Sequence, residues 1–201
     1  MNKGRVYIIS GPSGSGKDTV LKEIFKRKPD VAFSISSITR DMRPGEVEGE
    51  KYNFISREQF EYMIANDELL EHNVFVGNYY GTPKKPVINC IENGQDMLIE
   101  VDVNGAAQIR SKMPEAVSIF IMPPSLEILK KRLTGRGTDD AQVIEKRLNE
   151  ALREIASAKD YDYVVVNDDL DQAVSDVILI MSVDKFRTDR NLNLIDEVLS
   201  K

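Results

Sequence analysis

The chain has 201 residues, 41% of them apolar and 12 of them Gly, a composition that supports one soluble domain with a sizeable core. Lys and Arg number 27 against 33 Asp and Glu, and the resulting charge of −6 argues against a nucleic-acid binder working through a broad basic face. One Cys excludes an internal disulfide framework, one His excludes a His-rich metal site, and no apolar run approaches the roughly 20 residues that span a bilayer, so a cytoplasmic chain without membrane or nucleic-acid partners is expected.

Residues 6–10, V-Y-I-I-S, form a short apolar run of the kind expected for a strand buried on both faces. A glycine-rich turn follows at 11–16, and Leu21, Ile24 and Phe25 then recur at helical spacing until Pro29 stops the helix. Residues 36–82 break this rhythm. Their shorter, more polar runs, G-E-V-E-G-E-K-Y-N-F and G-N-Y-Y-G-T, predict a small insertion built mainly from strands and turns. Apolar runs return at 97–101, 118–122 and 163–166, interleaved with helical patterns at 106–112, 126–133, 143–158 and 170–180. That alternation predicts an α/β fold, a parallel sheet covered by helices on both faces. T-G-R-G-T-D-D at 134–140 is a polar link and a candidate mobile loop, and 189–201 reads as a short terminal helix.

Gly11-Pro12-Ser13-Gly14-Ser15-Gly16-Lys17 matches G-x-x-x-x-G-K, and it lies between a predicted strand and a predicted helix, the context that makes this pattern a phosphate loop. Glycines let backbone N–H groups converge on phosphate oxygens, the helix start adds a positive dipole end, and Lys17 reaches the β- and γ-phosphates. A plain glycine turn with a solvated Lys17 is the rival reading, and lysine at this offset after a buried strand weighs against it. Ser or Thr ordinarily follows that lysine to place a hydroxyl on Mg2+, and here the residue is Asp18. Its carboxylate is a good hard ligand for Mg2+ but adds negative charge beside a triphosphate. Asp18 either serves the metal, directly or through water, or only complements the helix terminus.

In order along the chain, G-P-S-G-S-G-K, S-S-I-T-R-D-M-R-P-G-E-V-E-G-E-K-Y-N-F, G-N-Y-Y-G-T and R-L-T-G-R-G-T-D resemble the guanylate kinases over nearly the whole length. The resemblance implies a P-loop NTPase core at 1–35, 83–131 and 158–201, a GMP-binding insertion at 36–82 and a helical lid at 132–157. It implies transfer of the γ-phosphoryl group of ATP to GMP, giving ADP and GDP in purine nucleotide metabolism, with Mg2+ as cofactor. It carries ATP contacts onto Gly11, Pro12, Ser13, Gly14, Ser15, Gly16, Lys17, Asp18, Thr19 and Asn167. Arg40 and Arg43, with the hydroxyls of Tyr52 and Tyr80, become the clamp on the GMP phosphate. Glu71, aided by Ser36, Thr82 and Asp102, becomes the reader of guanine. Arg132, Arg136 and Arg147 join Lys17 as catalytic cations, and Glu100 stands with Asp18 near the metal, where the family commonly has Asp in place of Glu100.

Physical chemistry supports these roles. A phosphate acceptor is already anionic, so the reaction needs no general base; it needs cations that hold two polyanions together. Guanine presents a ring N–H beside an amino group, two donors that one carboxylate accepts together, whereas adenine offers an acceptor at that edge. Plainer readings stand beside these: Glu71 as a surface residue, Arg132, Arg136 and Arg147 as a solvated helix face, and Asn167 as a cap on the helix from Leu170. His72 and Cys90 receive no role. Two rival functions remain open here, a non-catalytic guanylate-kinase-like binding module and a kinase for another monophosphate or sugar phosphate. A homo-oligomer is compatible with the sequence, which does not fix the assembly state.

Overall fold

Val6–Ser10 (β1) lies at the centre of a five-stranded sheet, with every one of its residues buried. The computed structural model describes residues 3–134 and 141–200, with backbone alone at 141 and 142. Around β1 the sheet places Ala32–Phe33 (β2), Met97–Glu100 (β7), Val117–Met122 (β8) and Tyr163–Val166 (β9) in the order β2-β7-β1-β8-β9, and every pairing is parallel. Alternate residues of β1 serve opposite layers. Tyr7 and Ile9 pack with Val20, Leu21 and Ile24 of Lys17–Arg27 (α1) and Val174, Val177 and Met181 of Leu170–Asp184 (α7). Val6 and Ile8 pack with Val87 and Ile91 of Lys84–Glu92 (α3) and Ala106 and Ile109 of Val103–Lys112 (α4). Burial on both faces is what a near-continuous apolar strand requires.

A second sheet comes from the segment between β2 and α3. Ser36–Ile38 (β3), Tyr52–Phe54 (β4), Leu69–Phe75 (β5) and Asn78–Pro83 (β6) run in the order β4-β3-β6-β5. This segment also holds a helix that strands and turns alone do not anticipate, Arg57–Ala65 (α2). Ser56 accepts from the Gln59 N–H while the Gln59 side chain accepts from the Ser56 N–H, a reciprocal capping box that fixes the helix start. Phe60 of α2 is fully buried and stacks on Tyr79, which joins the helix to the sheet.

The edge strand β5 is covered by α4. Gln108 accepts from the His72 N–H and donates to its carbonyl, and Lys112 donates to the Leu69 carbonyl. These contacts satisfy an edge that would otherwise be open, and they bring the second sheet against the first. Leu126–Thr134 (α5) and Ala141–Ala156 (α6) pack through Leu129, Leu133 and Ala151 over the loop that follows β1, and Leu192–Leu199 (α8) ends the described chain. Residues 135–140 of the polar link lie outside the described residues, Arg136 among them.

Candidate functional site

The carboxyl ends of β1 and β7 open into a cleft of about 410 Å3, the place where open α/β sheets bind ligands. Gly11, Ser13, Gly14, Lys17 and Asp18 line one side; Ser36, Tyr52, Glu71 and Tyr80 line the other; Glu100 and Asp102 form the floor between them.

The loop from Gly11 to Gly16 is braced from behind. Gly16 has φ +89°, and a Cβ there would meet the Asn167 amide nitrogen at 2.4 Å, so the position admits only glycine. Asn167 is buried and donates to the Ser15 carbonyl at 2.7 Å, while Arg132 donates to the Ser15 and Asn167 carbonyls at 3.3 and 3.1 Å. The cap of α7 is Asp169, which accepts from Gln172; the alternative of Asn167 as that cap is therefore corrected. Asn167 closes onto the loop because its backbone continues the parallel pairing past β9, bonding the Met122 carbonyl. Arg132, Asn167, Gly16 and Thr19 line a second recess of about 390 Å3 on this side of the loop.

Lys17 crosses the front of the loop and donates to the Gly11 carbonyl at 2.8 Å. Arg147 of α6 donates to Ser13 Oγ at 2.9 Å. One face of α6 carries both Arg147 and Glu154, seven residues apart. Burial pushes the Glu154 carboxyl up, against the opposing pull of Lys17 and the Ser13 backbone. Ser15 Oγ is buried and has no hydrogen-bond partner among the described residues.

Across the cleft, Glu71 is 5% exposed, which rules out its reading as a surface residue. It lies opposite Thr82 in the β5–β6 register, and the Thr82 hydroxyl donates to Glu71 Oε1 at 2.7 Å. Gly105 leaves space for the other oxygen, since a Cβ there would come within 2.9 Å of Glu71 Oε2. Burial raises the Glu71 carboxyl to about 7, helped by the neighbouring Asp102 and opposed by the Thr82 hydrogen bonds. Asp102 is the N-cap of α4, accepting from the Gly105 N–H at 2.7 Å, and its other oxygen accepts from Asn73 at 3.0 Å.

Arg40 is held by a bidentate pair with Glu46, at 2.7 and 2.6 Å, and sits over the rings of Tyr52 and Phe54. Its Nε is buried without a hydrogen-bond partner among the described residues. Glu46 also accepts from the Arg43 N–H, and these bonds hold its carboxyl down at about 2. Neither Arg40 nor the exposed Arg43 lines the cleft directly.

Asp18 and Glu100 face the same nitrogen. Lys51 Nζ lies 2.9 Å from Asp18 Oδ1 and 3.1 Å from Glu100 Oε2. Burial works to lower the Lys51 pKa, but the two carboxylates outweigh it and hold the ammonium charged, above its ordinary range. Among the described residues no group of three or more His, Cys, Asp or Glu side chains could hold a metal. The donor set at this point is two carboxylates gathered around a cation.

The structure thus brings Lys17, Asp18, Ser36, Tyr52, Glu71, Tyr80, Glu100 and Asp102 to one cleft, with Thr82 buried behind Glu71 and Arg132, Asn167 and Thr19 on the far side of the loop. Sequence reasoning missed Lys51, Glu46, Asn73 and Glu154. Only Glu46 left a signal, an acid six residues past Arg40 across the Pro44-Gly45 turn. His72 enters through its backbone alone, and Cys90 is half-buried beside Gln95.

Comparison with known proteins fits this geometry. The family model described as guanylate kinase matches residues 3–183. The guanylate kinase of Carboxydothermus hydrogenoformans is 50% identical over 190 residues, covering 94% of this chain and 93% of that one. That of Clostridioides difficile is 45% identical over 197 residues, covering 98% and 96%. The crystal structure of guanylate kinase from Anaplasma phagocytophilum superposes with a TM-score of 0.82 at 32% identity, covering 100% of this chain and 96% of that one. The chain belongs to the guanylate kinase family.

Proposed function

We propose that the cleft performs the family's phosphotransfer, moving the γ-phosphoryl group of ATP to GMP to give ADP and GDP. One observation carries the reading: a phosphate loop with its lysine and a buried carboxylate with two-donor acceptor geometry face each other across a single cleft. ATP binds with its phosphates on the loop and Lys17 and its adenine in the recess of Asn167 and Arg132. GMP binds with guanine on Glu71, aided by Ser36, Thr82 and Asp102, and with its phosphate on Arg40, Tyr52 and Tyr80. Arg40 lies over the ring of Tyr52, which lines the cleft, and its guanidinium brings positive charge to that end. Arg43 joins from the surface, and Arg132, Arg136 and Arg147 bring further positive charge to the transferring group. The GMP phosphate attacks as an anion, so no side chain has to remove a proton; the chain aligns the two phosphates and offsets their repulsion.

Mg2+ fits the donors present. Asp18 and Glu100 are hard oxygen ligands converging on a position that already holds a cation, and a pair of carboxylates completed by substrate phosphates is a usual Mg2+ environment. There Mg2+ would neutralise charge on the triphosphate. Among the described residues no helix is long and apolar enough to cross a membrane.

ADP release measured with ATP, Mg2+ and GMP, AMP, dTMP or UMP in turn tests the proposal. Turnover should be strong with GMP and fall by orders of magnitude with the others. No ADP with GMP would leave a binding module, and preference for another acceptor would overturn the assignment of Glu71.

A further inference from the structure

Lys51 stands out because it has no place in the chemistry above, yet it occupies the centre of the cleft. Its backbone belongs to the second sheet: the Lys51 carbonyl accepts from the Ser36 N–H, one residue before β4. Its ammonium leaves that sheet and reaches the core twice, at Asp18 on the first turn of α1 and at Glu100 at the end of β7. Glu100 Oε2 is shielded from solvent and makes no hydrogen bond among the described residues, so the ammonium at 3.1 Å is a counter-charge for a buried oxygen. A carboxylate in that position without a cation is costly. The ammonium therefore satisfies an electrostatic requirement that a divalent ion would satisfy equally well.

We propose that Lys51 is a built-in counter-ion of the Asp18–Glu100 pair, which competes with the divalent metal for the same two carboxylates and ties the second sheet to the core until the metal displaces it. Lys51 is a positioning residue: it acts through the two carboxylates. The inference rests on the assignment of Asp18 and Glu100 as the metal-facing pair. It goes beyond that assignment because it makes metal uptake and release of the second sheet one coupled event. A ligand that takes the carboxylates frees the ammonium, and a shorter or neutral side chain at 51 leaves the pair open to the metal from the outset.

The test is binding of Mn2+ alone, followed by electron paramagnetic resonance without nucleotide, to the wild-type protein and to Lys51→Met, Lys51→Arg and the triple variant Lys51→Met/Asp18→Asn/Glu100→Gln. Lys51 is 44% exposed along its side chain and Asp18 73%, while Glu100, 15% exposed, takes the isosteric Gln, and circular dichroism checks the fold of each variant. Removing a unit positive charge from between the carboxylates should tighten Mn2+ by about tenfold or more in Lys51→Met. Lys51→Arg should stay near wild type, and the triple variant should lose the gain. Equal Mn2+ affinity in wild type and Lys51→Met would overturn the proposal, as would a gain that survives in the triple variant. ATP-to-GMP transfer by the wild-type protein is measured separately, so failure of the kinase reading and failure of this one give different results.

Discussion

Glu71 carries a tension that can be measured. Burial holds its carboxyl at about 7, above the ordinary value of 4.5, yet its proposed role, accepting the two donors of guanine, needs the ionised form. The sign follows from linkage. Between pH 4.5 and 7 the folded protein keeps a proton that the unfolded chain has lost, so stability falls across that window and levels off above it. Glu71→Gln should remove this slope and raise stability at pH 8 by about 1–3 kcal/mol, as read by urea unfolding. The same change turns one acceptor into a donor against guanine, and the GMP-over-AMP preference in kcat/KM should drop roughly 100-fold. GMP affinity in the wild type should weaken as pH falls below about 7, and that limb should flatten in Glu71→Gln. Lys17→Ala should lower kcat by roughly 100- to 1,000-fold, since a cation at the developing charge is lost. The loop residues were legible because G-x-x-x-x-G-K compresses a whole site into seven consecutive positions. Glu71 was less so: within D-E-L-L-E only the cross-strand Thr82, Gly105 and the α4 cover make it a buried acceptor. Lys51 was illegible for the same reason, since its partners lie on α1 and β7 and neither is near it in sequence.

Among the elements, the hairpin of β5 and β6 stores a local cost. Its two-residue turn places Val76 at φ +50° and Gly77 at φ +77°, and a β-branched residue is poorly suited to the left-handed region. Val76 is 81% exposed, so packing does not compensate. Val76→Asn should stabilise the protein by about 0.5–1 kcal/mol in thermal or urea unfolding; destabilisation would show that the turn relaxes in solution. The central strand β1 coincides with an apolar run because a strand buried on both faces needs a short, uninterrupted apolar stretch, and β9 coincides with one although it is an edge strand with Val165 alone buried. The second sheet reads less clearly, since many of its residues are only partly buried and β3 pairs with β6 across more than forty residues. Its helix α2 was legible in principle through S-R-E-Q ahead of Phe60, a capping-box pattern with polar surroundings that mask the helical period.

At the scale of the molecule, stability and chemistry occupy opposite ends of the parallel sheet. Where β1 begins, Asp184 is buried and accepts from Arg5 at 3.1 Å, Arg190 at 2.8 Å and the Tyr7 hydroxyl at 3.2 Å, tying the end of α7 to the first strand. Where β1 ends, the phosphate loop begins. Asp184→Ala would remove the buried carboxylate that Arg5 and Arg190 share, leaving them Asp189 and Asp96, and should cost about 3 kcal/mol, lowering Tm by on the order of 10 °C. Its KM values at 20 °C should stay close to wild type, because the network touches no residue of the cleft. The cleft is proposed to bring two nucleotides together so that one phosphoryl group passes directly between them. Phosphorus-31 NMR of purified protein with ATP, GMP and Mg2+ measures that transfer. The β-phosphate signal of GDP should grow in step with the loss of the ATP γ-phosphate signal. ATP loss matched by inorganic phosphate, or nucleotide binding without GDP, would contradict direct transfer.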